Sequence, residues 1–365
     1  MWLKELDLFD WRNFHQDTLN LGEGLNYIHG PNGSGKTNLL EAAAYLAYAR
    51  SFRKTSDKGL INSQAKAASI KGTFVFGTSS LTKTVEARLE DGAKQVKVDG
   101  KKVDTLSSFM GTILVSVFDP RDVFLFKGEP SERRKVMDET LSAISPNYLY
   151  SLQRYKKLLR ERNQALAQRS DSEVLGVLTN ELLASAYRIT QERLGLVRFV
   201  DKTAPEYFQK LFGNGAKLSF KYRTNSSISD SLEIFRKEML FQFERRKSQE
   251  AIRRATVIGP HLDDLSAYLD GNSLASYGSQ GQNRLASLSL TLSLAALMKE
   301  KKGEAPILIL DDVMSDLDGE KKKRLLDTIA PMGQSLISGN DKDLPESALS
   351  IGIQAGKVVH EKERD

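Results

Sequence analysis

Residues 30–37 read Gly30-Pro31-Asn32-Gly33-Ser34-Gly35-Lys36-Thr37. This octapeptide fits the pattern G-x-x-x-x-G-K-[ST] of a phosphate-binding loop, or P-loop. In such a loop, glycines let successive backbone N–H groups converge on phosphate oxygens, and Lys36 adds a positive charge at the β- and γ-phosphates. The Thr37 hydroxyl would reach Mg²⁺. All eight residues are therefore candidate nucleotide contacts, and Thr37 is also a candidate metal ligand.

The segments on either side of the loop fit a strand–loop–helix unit. Residues 24–29 read GLNYIH, which is a strand pattern, and residues 38–46 read NLLEAAAYL, which is apolar at helical spacing. Phosphates would then lie at the N-terminus of a helix, where the helix dipole favours negative charge. These flanks disfavour the alternative, a glycine-rich turn that matches the pattern by chance.

The composition excludes several classes of chemistry. The chain has 365 residues and no cysteine, so disulfides, thiolate metal sites and cysteine nucleophiles are absent. The four histidines are scattered singly, which argues against a histidine-rich metal site. Residues 1–7 carry charge throughout, unlike a signal peptide, and no apolar run is long enough for a membrane span. We expect a cytoplasmic protein without membrane contact.

Charge is distributed unevenly along the chain. Residues 126–258 contain 25 Lys and Arg against 16 Asp and Glu, a net +9, whereas the remainder has 28 against 31, a net −3. Nucleic acid is the natural polyanionic partner of such a segment, although a solvated helical surface with surplus lysines is the competing interpretation. The basic run Arg245, Arg246 and Lys247 is the candidate DNA contact.

The pattern of apolar residues divides the chain into three parts. The first part is mixed α/β, residues from about 129 to 254 are helical and charged, and α/β character then returns. Leu175, Leu182, Ile189 and Leu196 lie seven residues apart, which predicts a narrow apolar seam and a short, antiparallel coiled-coil-like arm. An ordinary helical subdomain is the alternative. The nucleotide domain would be split, with the arm inserted between its halves.

Two adjacent aspartates follow a continuous apolar run late in the chain. Residues 307–310 read ILIL, which is typical of a strand inside a parallel sheet, and Asp311 and Asp312 follow directly. We expect this strand beside the P-loop strand, with both acids at the carboxyl edge where such sheets bind ligands. Asp311 would hold Mg²⁺, and Asp312 would orient or deprotonate the attacking water. Paired aspartates can also simply end a strand. Because the same chain carries a P-loop, however, we take Asp311, Asp312 and Lys36 as candidate catalytic residues.

A third motif consists of Ser279, Gln280, Gly281 and Gln282, followed by a long apolar helix. Ser279 can cap that helix, and Gly281 would let a phosphate approach its N-terminus. A plain helix cap is the simpler interpretation. The order of P-loop, helical insertion, Ser-Gly element and paired aspartates is, however, the layout of ATP-binding cassette ATPases. In those proteins the Ser-Gly element of one subunit completes the ATP site of another.

Eight short segments carry a more specific resemblance. They are Trp11-Arg12-Asn13-Phe14, Lys36-Thr37-Asn38-Leu39-Leu40-Glu41-Ala42, Ser51-Phe52-Arg53, Phe118-Asp119-Pro120-Arg121-Asp122, Gly128-Glu129-Pro130-Ser131-Glu132-Arg133-Arg134, Gly259-Pro260-His261-Leu262-Asp263-Asp264, Ser279-Gln280-Gly281-Gln282-Asn283-Arg284 and Asp311-Asp312-Val313-Met314-Ser315-Asp316-Leu317-Asp318. In this order, over essentially the full length, the chain resembles the RecF family of bacterial DNA replication and repair proteins, which are relatives of the SMC and break-repair cassette ATPases.

This resemblance implies the fold and the partners. The fold class would be α/β, an ATP-binding cassette head (residues 1–125 and 257–365) with an inserted, mostly helical arm domain (residues 126–256). Arg12 would join the nucleotide contacts. With ATP and Mg²⁺, the protein would form a homodimer that binds double-stranded DNA at gaps or junctions. It would act with RecO and RecR to help load RecA.

The chain also departs from the pattern of related proteins. Leu262 stands where the RecF family usually has arginine, which puts a phosphate contact there in doubt. Gly339-Asn340 stand where transport-type cassettes carry a switch histidine, and position 312 is Asp rather than Glu. These departures predict weak ATP hydrolysis that acts as a switch, and we expect DNA to stimulate it.

Two other functions share the same cassette motifs. One is a subunit that energises a transporter, which the basic insertion and the missing switch histidine disfavour. The other is the ATPase subunit of another SMC-like, nuclease-associated DNA-processing complex.

Overall fold

The computed structural model describes residues 1–77, 81–90, 92–213, 215–315, 317–339 and 348–362. The chain forms two compact units. The first unit comprises Met1–Val123, Glu206–Gly215 and Ser287–Asp365, and the second comprises Phe124–Pro205 and Ala216–Ala286. Residues 257–286, which the domain prediction places in the head, thus belong to the second unit.

The first unit contains a six-stranded sheet that carries the P-loop. Its strands are β3 (Leu25–His29), β8 (Val115–Phe118), β12 (Ile307–Leu310), β13 (Ser335–Gly339), β14 (Leu349–Gln354) and β15 (Lys357–Lys362). Their order is β15-β14-β3-β13-β12-β8, and only the β14–β15 pair is antiparallel. The expectation that the Asp-Asp strand lies beside the P-loop strand is therefore wrong, because β13 lies between β3 and β12. Strand order depends on pairing between distant segments, which local patterns do not report.

An antiparallel sheet forms the other layer of the first unit. Its strands are β1 (Trp2–Phe9), β2 (Gln16–Asn20), β4 (Ala67–Phe76), β5 (Leu81–Glu90), β6 (Ala93–Val98) and β7 (Lys101–Lys102), in the order β2-β1-β4-β5-β6-β7. Helix α1 (Lys36–Tyr48) contacts strands of both sheets. Its residues 39–47 are all buried, as expected for a helix that is covered on every side. The P-loop therefore leads directly into the core of this unit.

Shorter elements complete the first unit. They are α2 (Leu106–Phe109) and α9 (Gly319–Ile329). Helix α8 (Gln280–Lys302) begins in the second unit and ends in the first. Among the described residues, no helix is both long enough and apolar enough to cross a membrane.

The second unit is mostly helical. Its elements are α3 (Pro130–Ile144), α4 (Pro146–Ala167), α5 (Ser172–Phe212, whose last turns belong to the first unit), β9 (Leu218–Arg223), α6 (Leu232–Arg253), β10 (Asp264–Leu269), β11 (Asn272–Ser273) and α7 (Leu274–Tyr277). The three strands form a small antiparallel sheet, β11-β10-β9. Leu182, Ile189 and Leu196 of the predicted heptad positions are buried, and Leu175 is half-buried. Leu183, Ala186 and Val197 are buried as well, so the buried face of α5 is wider than a coiled-coil seam.

Candidate functional site

Two glycines give the P-loop its backbone course. Gly30 has φ 146° and Gly35 has φ 121°, both in the region that side chains rarely adopt. A Cβ atom at Gly30 would lie 2.1 Å from the carbonyl oxygen of Ile353, and one at Gly35 would lie 2.8 Å from Nδ2 of Asn13. Only glycine fits either position, since both the dihedral angle and the neighbouring atoms exclude a side chain.

Polar contacts from neighbouring segments hold the loop. The carbonyl oxygen of Ser34 accepts hydrogen bonds from the backbone N–H of Gly356 (2.8 Å) and from Asn13 Nδ2 (2.9 Å). Asn38 Nδ2 donates to Asn13 Oδ1 (2.7 Å), and Trp11 Nε1 donates to the Asn38 carbonyl (2.9 Å). The Trp11-Asn13 turn thus supports the loop through Asn13 and Asn38, two residues that the sequence marked only as parts of motifs.

Lys36 lies at the opening of the loop. Its Nζ donates to the carbonyl oxygens of Gly30 (2.7 Å) and Pro31 (3.1 Å). Burial lowers the pKa of the Lys36 ammonium, and the nearby charges of Asp312 and Asp311 counteract part of that shift. The structure therefore brings Lys36 together with both predicted catalytic acids.

Asp311 is buried at the carboxyl edge of the parallel sheet and accepts two hydroxyl hydrogen bonds. Thr37 Oγ1 donates to its Oδ1 at 3.0 Å, and Ser338 Oγ donates to the same oxygen at 2.6 Å. Burial raises the pKa of the Asp311 carboxyl, while these two hydrogen bonds lower it in part. Asp311 and Thr37, the two predicted metal ligands, are thus direct neighbours.

Ser338 is a site residue that the motifs missed. It lies in β13, whose carboxyl edge adjoins that of β12, and its hydroxyl oxygen accepts the backbone N–H of Asp312 at 2.8 Å. Asp312 has φ 48°, so the chain turns sharply directly after Asp311. One hydroxyl therefore fixes both the carboxylate of Asp311 and the turn at Asp312. Asn340, at the position of the missing switch histidine, and Asp316 lie outside the described residues.

The guanidinium of Arg12 is engaged with protein groups. Arg12 Nε donates to Glu41 Oε2 (2.9 Å), and Arg12 Nη2 donates to Glu41 Oε1 (3.1 Å) and to Thr55 Oγ1 (2.9 Å). Arg12 Nη1 donates to the Gly59 carbonyl (3.0 Å). Glu41, on α1, is fully buried and also accepts the Ser51 hydroxyl. In this arrangement Arg12 joins the P-loop helix to residues 51–59, and its role as a nucleotide contact stays a prediction.

The side-chain oxygens of Thr37 and Asp311, at the carboxyl edge of the parallel sheet, suit Mg²⁺. Mg²⁺ in nucleotide sites takes one or two protein oxygens, with substrate phosphates and waters completing its shell. The Thr37 hydroxyl and the Asp311 carboxylate offer this donor set. Within the described residues there is no cluster of three or more His, Cys, Asp or Glu side chains that could hold a metal by themselves. The site thus fits a metal that arrives with a nucleotide.

The Ser279 element lies in the second unit and starts α8 with a capping box. The backbone N–H of Gln282 donates to Ser279 Oγ (3.2 Å), and the backbone N–H of Ser279 donates to Gln282 Oε1 (2.8 Å). Ser279, Gln280 and Gly281 are exposed, and a Cβ atom at Gly281 would meet nothing within 4 Å. The expected cap is present, and it holds an accessible helix N-terminus in a defined shape.

The predicted DNA contacts lie on α6. Arg245 and Lys247 are exposed and Arg246 is half-buried. The sequence pattern predicts that the helix containing Phe235 and Phe243 ends in this basic run, which is wrong because α6 continues to Arg253. Lys247 pairs with Glu244 (3.4 Å). Phe241, on the same helix, is exposed.

A glycine-rich loop at the start of a buried helix, with acids at the edge of a parallel sheet, defines a P-loop ATPase head. The family model described as the RecF/RecN/SMC N terminal domain matches residues 2–351. The "DNA replication and repair protein RecF" of Streptococcus suis is 36% identical over 365 residues, 98% of this chain and 99% of that protein. RecF of Streptococcus pyogenes is 35% identical over 367 residues, 98% of each chain. The chain belongs to the RecF family of DNA replication and repair proteins.

Solved structures agree with this assignment. A structure of the recombination mediator protein RecF with ATP, in the RecFOR pathway, has a TM-score of 0.91 at 29% identity and covers 99% of this chain and 97% of that chain. A second RecF structure, described as RecF-ATPrS, has a TM-score of 0.89. An Smc head bound to the C-winged helix domain of ScpA shares the fold alone, with a TM-score of 0.56 at 15% identity. The predicted family and the predicted cassette head are confirmed.

Proposed function

We propose that this protein is an ATP-switched DNA-binding protein of recombinational repair and replication. The observation that carries the proposal is the linked group of Thr37, Asp311, Ser338 and Asp312 at the mouth of the P-loop, next to Lys36. A plain glycine turn would not need two hydroxyls directed at one buried carboxylate. The RecF relatives, named for DNA replication and repair, supply the biological setting.

The residues of the site divide the work on the nucleotide. Lys36 and the backbone N–H groups of residues 32–37 would bind phosphate oxygens, and Thr37 with Asp311 would hold Mg²⁺. Bound there, Mg²⁺ would polarise the phosphate oxygens as a Lewis acid. Asp312, held by Ser338, orients the attacking water and accepts its proton. With Asp at this position, we expect weak hydrolysis that DNA stimulates and that resets the switch.

ATP would also join two copies of the chain. The exposed Ser279, Gln280 and Gly281 present hydroxyl and backbone groups at a helix N-terminus, where an anion is favoured. We propose that they contact the triphosphate on the P-loop of a second copy. A ligand that binds only the paired form stabilises that form by mass action, so ATP would drive dimerisation.

The dimer would then bind DNA. The net charge of +9 on residues 126–258 suits a polyanion, and the family setting points to double-stranded DNA at gaps or junctions. Arg245, Arg246 and Lys247 stay candidate contacts. We propose that the protein acts in the cytoplasm beside the nucleoid, with RecO and RecR, to assist RecA loading.

One comparison tests the nucleotide part of this proposal. Binding of a fluorescent ATP analogue with Mg²⁺ should be abolished in Lys36→Ala. Lys101→Ala, which removes an exposed lysine on β7, should bind as the wild type does. Equal affinity of Lys36→Ala and the wild type would remove the basis of the proposal.

A second measurement tests the DNA part. Affinity for a gapped duplex should rise when ATP is added, and it should fall steeply with salt because phosphate contacts release counterions. DNA affinity that is independent of ATP would contradict the switch.

A further inference from the structure

One face of α6 carries side chains at the spacing of a binding face. A groove along the helix is lined by Ile234, Lys237, Glu238, Phe241, Gln242, Arg245 and Arg246. They recur at intervals of three and four residues, so they lie on one side of the helix over about 18 Å. We call these seven residues the α6 face.

The α6 face is distinct from the side of the helix that packs into the second unit. Phe235, Met239 and Phe243 are buried, with at most 6% of their surface exposed. Ile234 and Phe241 are 52% and 64% exposed. The helix therefore has a complete core side, and the α6 face adds two large apolar side chains, Ile234 and Phe241, that the described residues leave in contact with solvent. Exposed apolar surface that is rimmed by polar and charged residues is typical of a site of association.

Cations flank the apolar pair. The guanidinium of Arg245 lies over the ring of Phe241 at 5.8 Å, and Arg246 Nη1 donates to Gln242 Oε1 at 3.0 Å. Lys237 lies one turn from Ile234. The single acid, Glu238, accepts a hydrogen bond from the Ser227 hydroxyl, so part of its charge is directed at the protein itself. The face thus presents two exposed apolar side chains among three cations and one acid.

This combination selects the chemistry of the partner. A DNA backbone offers phosphates but little apolar surface, so it would pair with the arginines and leave Ile234 and Phe241 in water. Aromatic residues and arginine are the residues enriched at the centres of protein interfaces. We propose that the α6 face docks an acidic amphipathic segment of another protein, with apolar side chains on Phe241 and Ile234 and carboxylates on Lys237, Arg245 and Arg246.

The inference does not depend on the nucleotide site. It competes with the prediction that Arg245 and Arg246 contact DNA, because the same two side chains cannot serve both partners in the same way. ATP binding should be unchanged in the α6 variants described below. Its measurement therefore separates a failure of the docking proposal from a failure of the nucleotide site.

A synthetic peptide tests the proposal directly. The probe is a fluorescein-labelled, 18-residue peptide of Glu, Leu, Phe and Ala with its apolar residues on one helical face, and a scrambled peptide of the same composition is its control. Fluorescence anisotropy should show binding of the amphipathic peptide at least tenfold tighter than binding of the scrambled one. Added salt should weaken binding, since part of the attraction is electrostatic.

Substitutions locate the peptide on the protein. Ile234→Ser with Phe241→Ser, and separately Arg245→Glu with Arg246→Glu, should each weaken peptide binding at least tenfold. Leu81→Ser, which removes an apolar side chain 58% exposed on β5, should leave it unchanged. The apolar variant should keep its affinity for a gapped duplex.

Three results would overturn the proposal. They are equal binding of the scrambled peptide, unchanged peptide affinity in both α6 variants, and loss of duplex affinity in the Ile234→Ser, Phe241→Ser variant. The last result would assign the α6 face to DNA. Thermal unfolding of each variant shows whether it remains folded, and because Ile234 and Phe241 are exposed we expect unchanged midpoints.

Discussion

The Ser338 hydroxyl donates a 2.6 Å hydrogen bond to Asp311 Oδ1 and accepts one of 2.8 Å from the backbone N–H of Asp312. These two hydrogen bonds link the end of β13 to Asp311 and Asp312, the acids that follow the neighbouring strand β12. It also lowers the pKa of the Asp311 carboxyl, which burial raises. Ser338 therefore influences both the charge of Asp311, the proposed metal ligand, and the backbone position of Asp312, the proposed catalytic base.

Ser338→Ala should weaken Mg²⁺-dependent ATP binding, most strongly at low pH. Asp311 must be ionised to bind a cation, and its raised pKa means that affinity starts to fall at a higher pH than an ordinary aspartate would give. Loss of the Ser338 hydrogen bond raises that pKa further and shifts the fall to higher pH. A hydrogen bond to a charged group of this kind corresponds to roughly a tenfold change in affinity.

The measurement is a titration of a fluorescent ATP analogue with Mg²⁺ at a series of pH values. The matched control is Ser335→Ala on the same strand. It removes a buried hydroxyl that has no hydrogen-bond partner. A profile of Ser338→Ala that overlays the wild type would disprove the coupling.

Ionisation of Asp311, which favours Mg²⁺ binding, should lower the free energy of unfolding. A buried carboxyl with a raised folded-state pKa destabilises the fold when it is ionised. That penalty should be relieved as the pH falls through the folded-state pKa. Asp311→Asn, which is neutral at every pH, should therefore raise the free energy of unfolding at neutral pH, as measured with urea, and the gain should disappear in acid. A gain that persists in acid would rule out this ionisation as its cause.

Arg12→Ala should destabilise the first unit. It leaves the fully buried Glu41 carboxylate without its bidentate partner, and removing one member of a buried pair typically costs about 3 kcal/mol. Urea unfolding checks this value. Arg88→Ala breaks only an exposed pair with Glu90 (3.6 Å) and should cost about 1 kcal/mol or less. If Arg12→Ala kept full stability and lost only ATP affinity, Arg12 would be a nucleotide contact and not a support.

Gly30→Ala should disrupt the P-loop. A side chain is opposed by the φ of 146° and by the Ile353 carbonyl oxygen, which would lie 2.1 Å from the added Cβ. We therefore expect the free energy of unfolding to fall by about 3 kcal/mol and ATP binding to be lost. Gly24→Ala, where a Cβ meets nothing within 4 Å, is the control and should be close to neutral. Both effects can be read from urea unfolding and analogue binding. Wild-type behaviour of Gly30→Ala would show that the loop adopts another backbone course.

The sequence predicted the elements whose signals are local. The glycines and the apolar spacing around residues 30–37 predicted β3 and α1, and the run before Asp311 predicted β12. The long apolar helix predicted after the Ser279 motif is α8, which starts at Gln280 because Ser279 caps it. Each of these signals depends on residues that are close in sequence, where propensity and capping act.

What the sequence missed depends on contacts between distant segments. The position of β13 between β3 and β12, and with it the role of Ser338, arises from strand pairing over long separations. The engagement of Arg12 by Glu41 depends on how two loops meet α1. Phe241 fits an apolar helical pattern as well as Phe235 does, and only the packing of α6 shows that one is exposed and the other buried.

Sedimentation velocity, with and without ATP and Mg²⁺, tests the central claim that ATP joins the Lys36 loop of one copy to the Ser279 turn of another. The wild type and the control Asn272→Arg, which alters an exposed residue of β11, should sediment as dimers with ATP and as monomers without it. Ser279→Arg should bind the ATP analogue normally and remain a monomer. Dimers of Ser279→Arg that form as readily as those of the wild type, or a wild type that stays monomeric when loaded with ATP, would contradict the account.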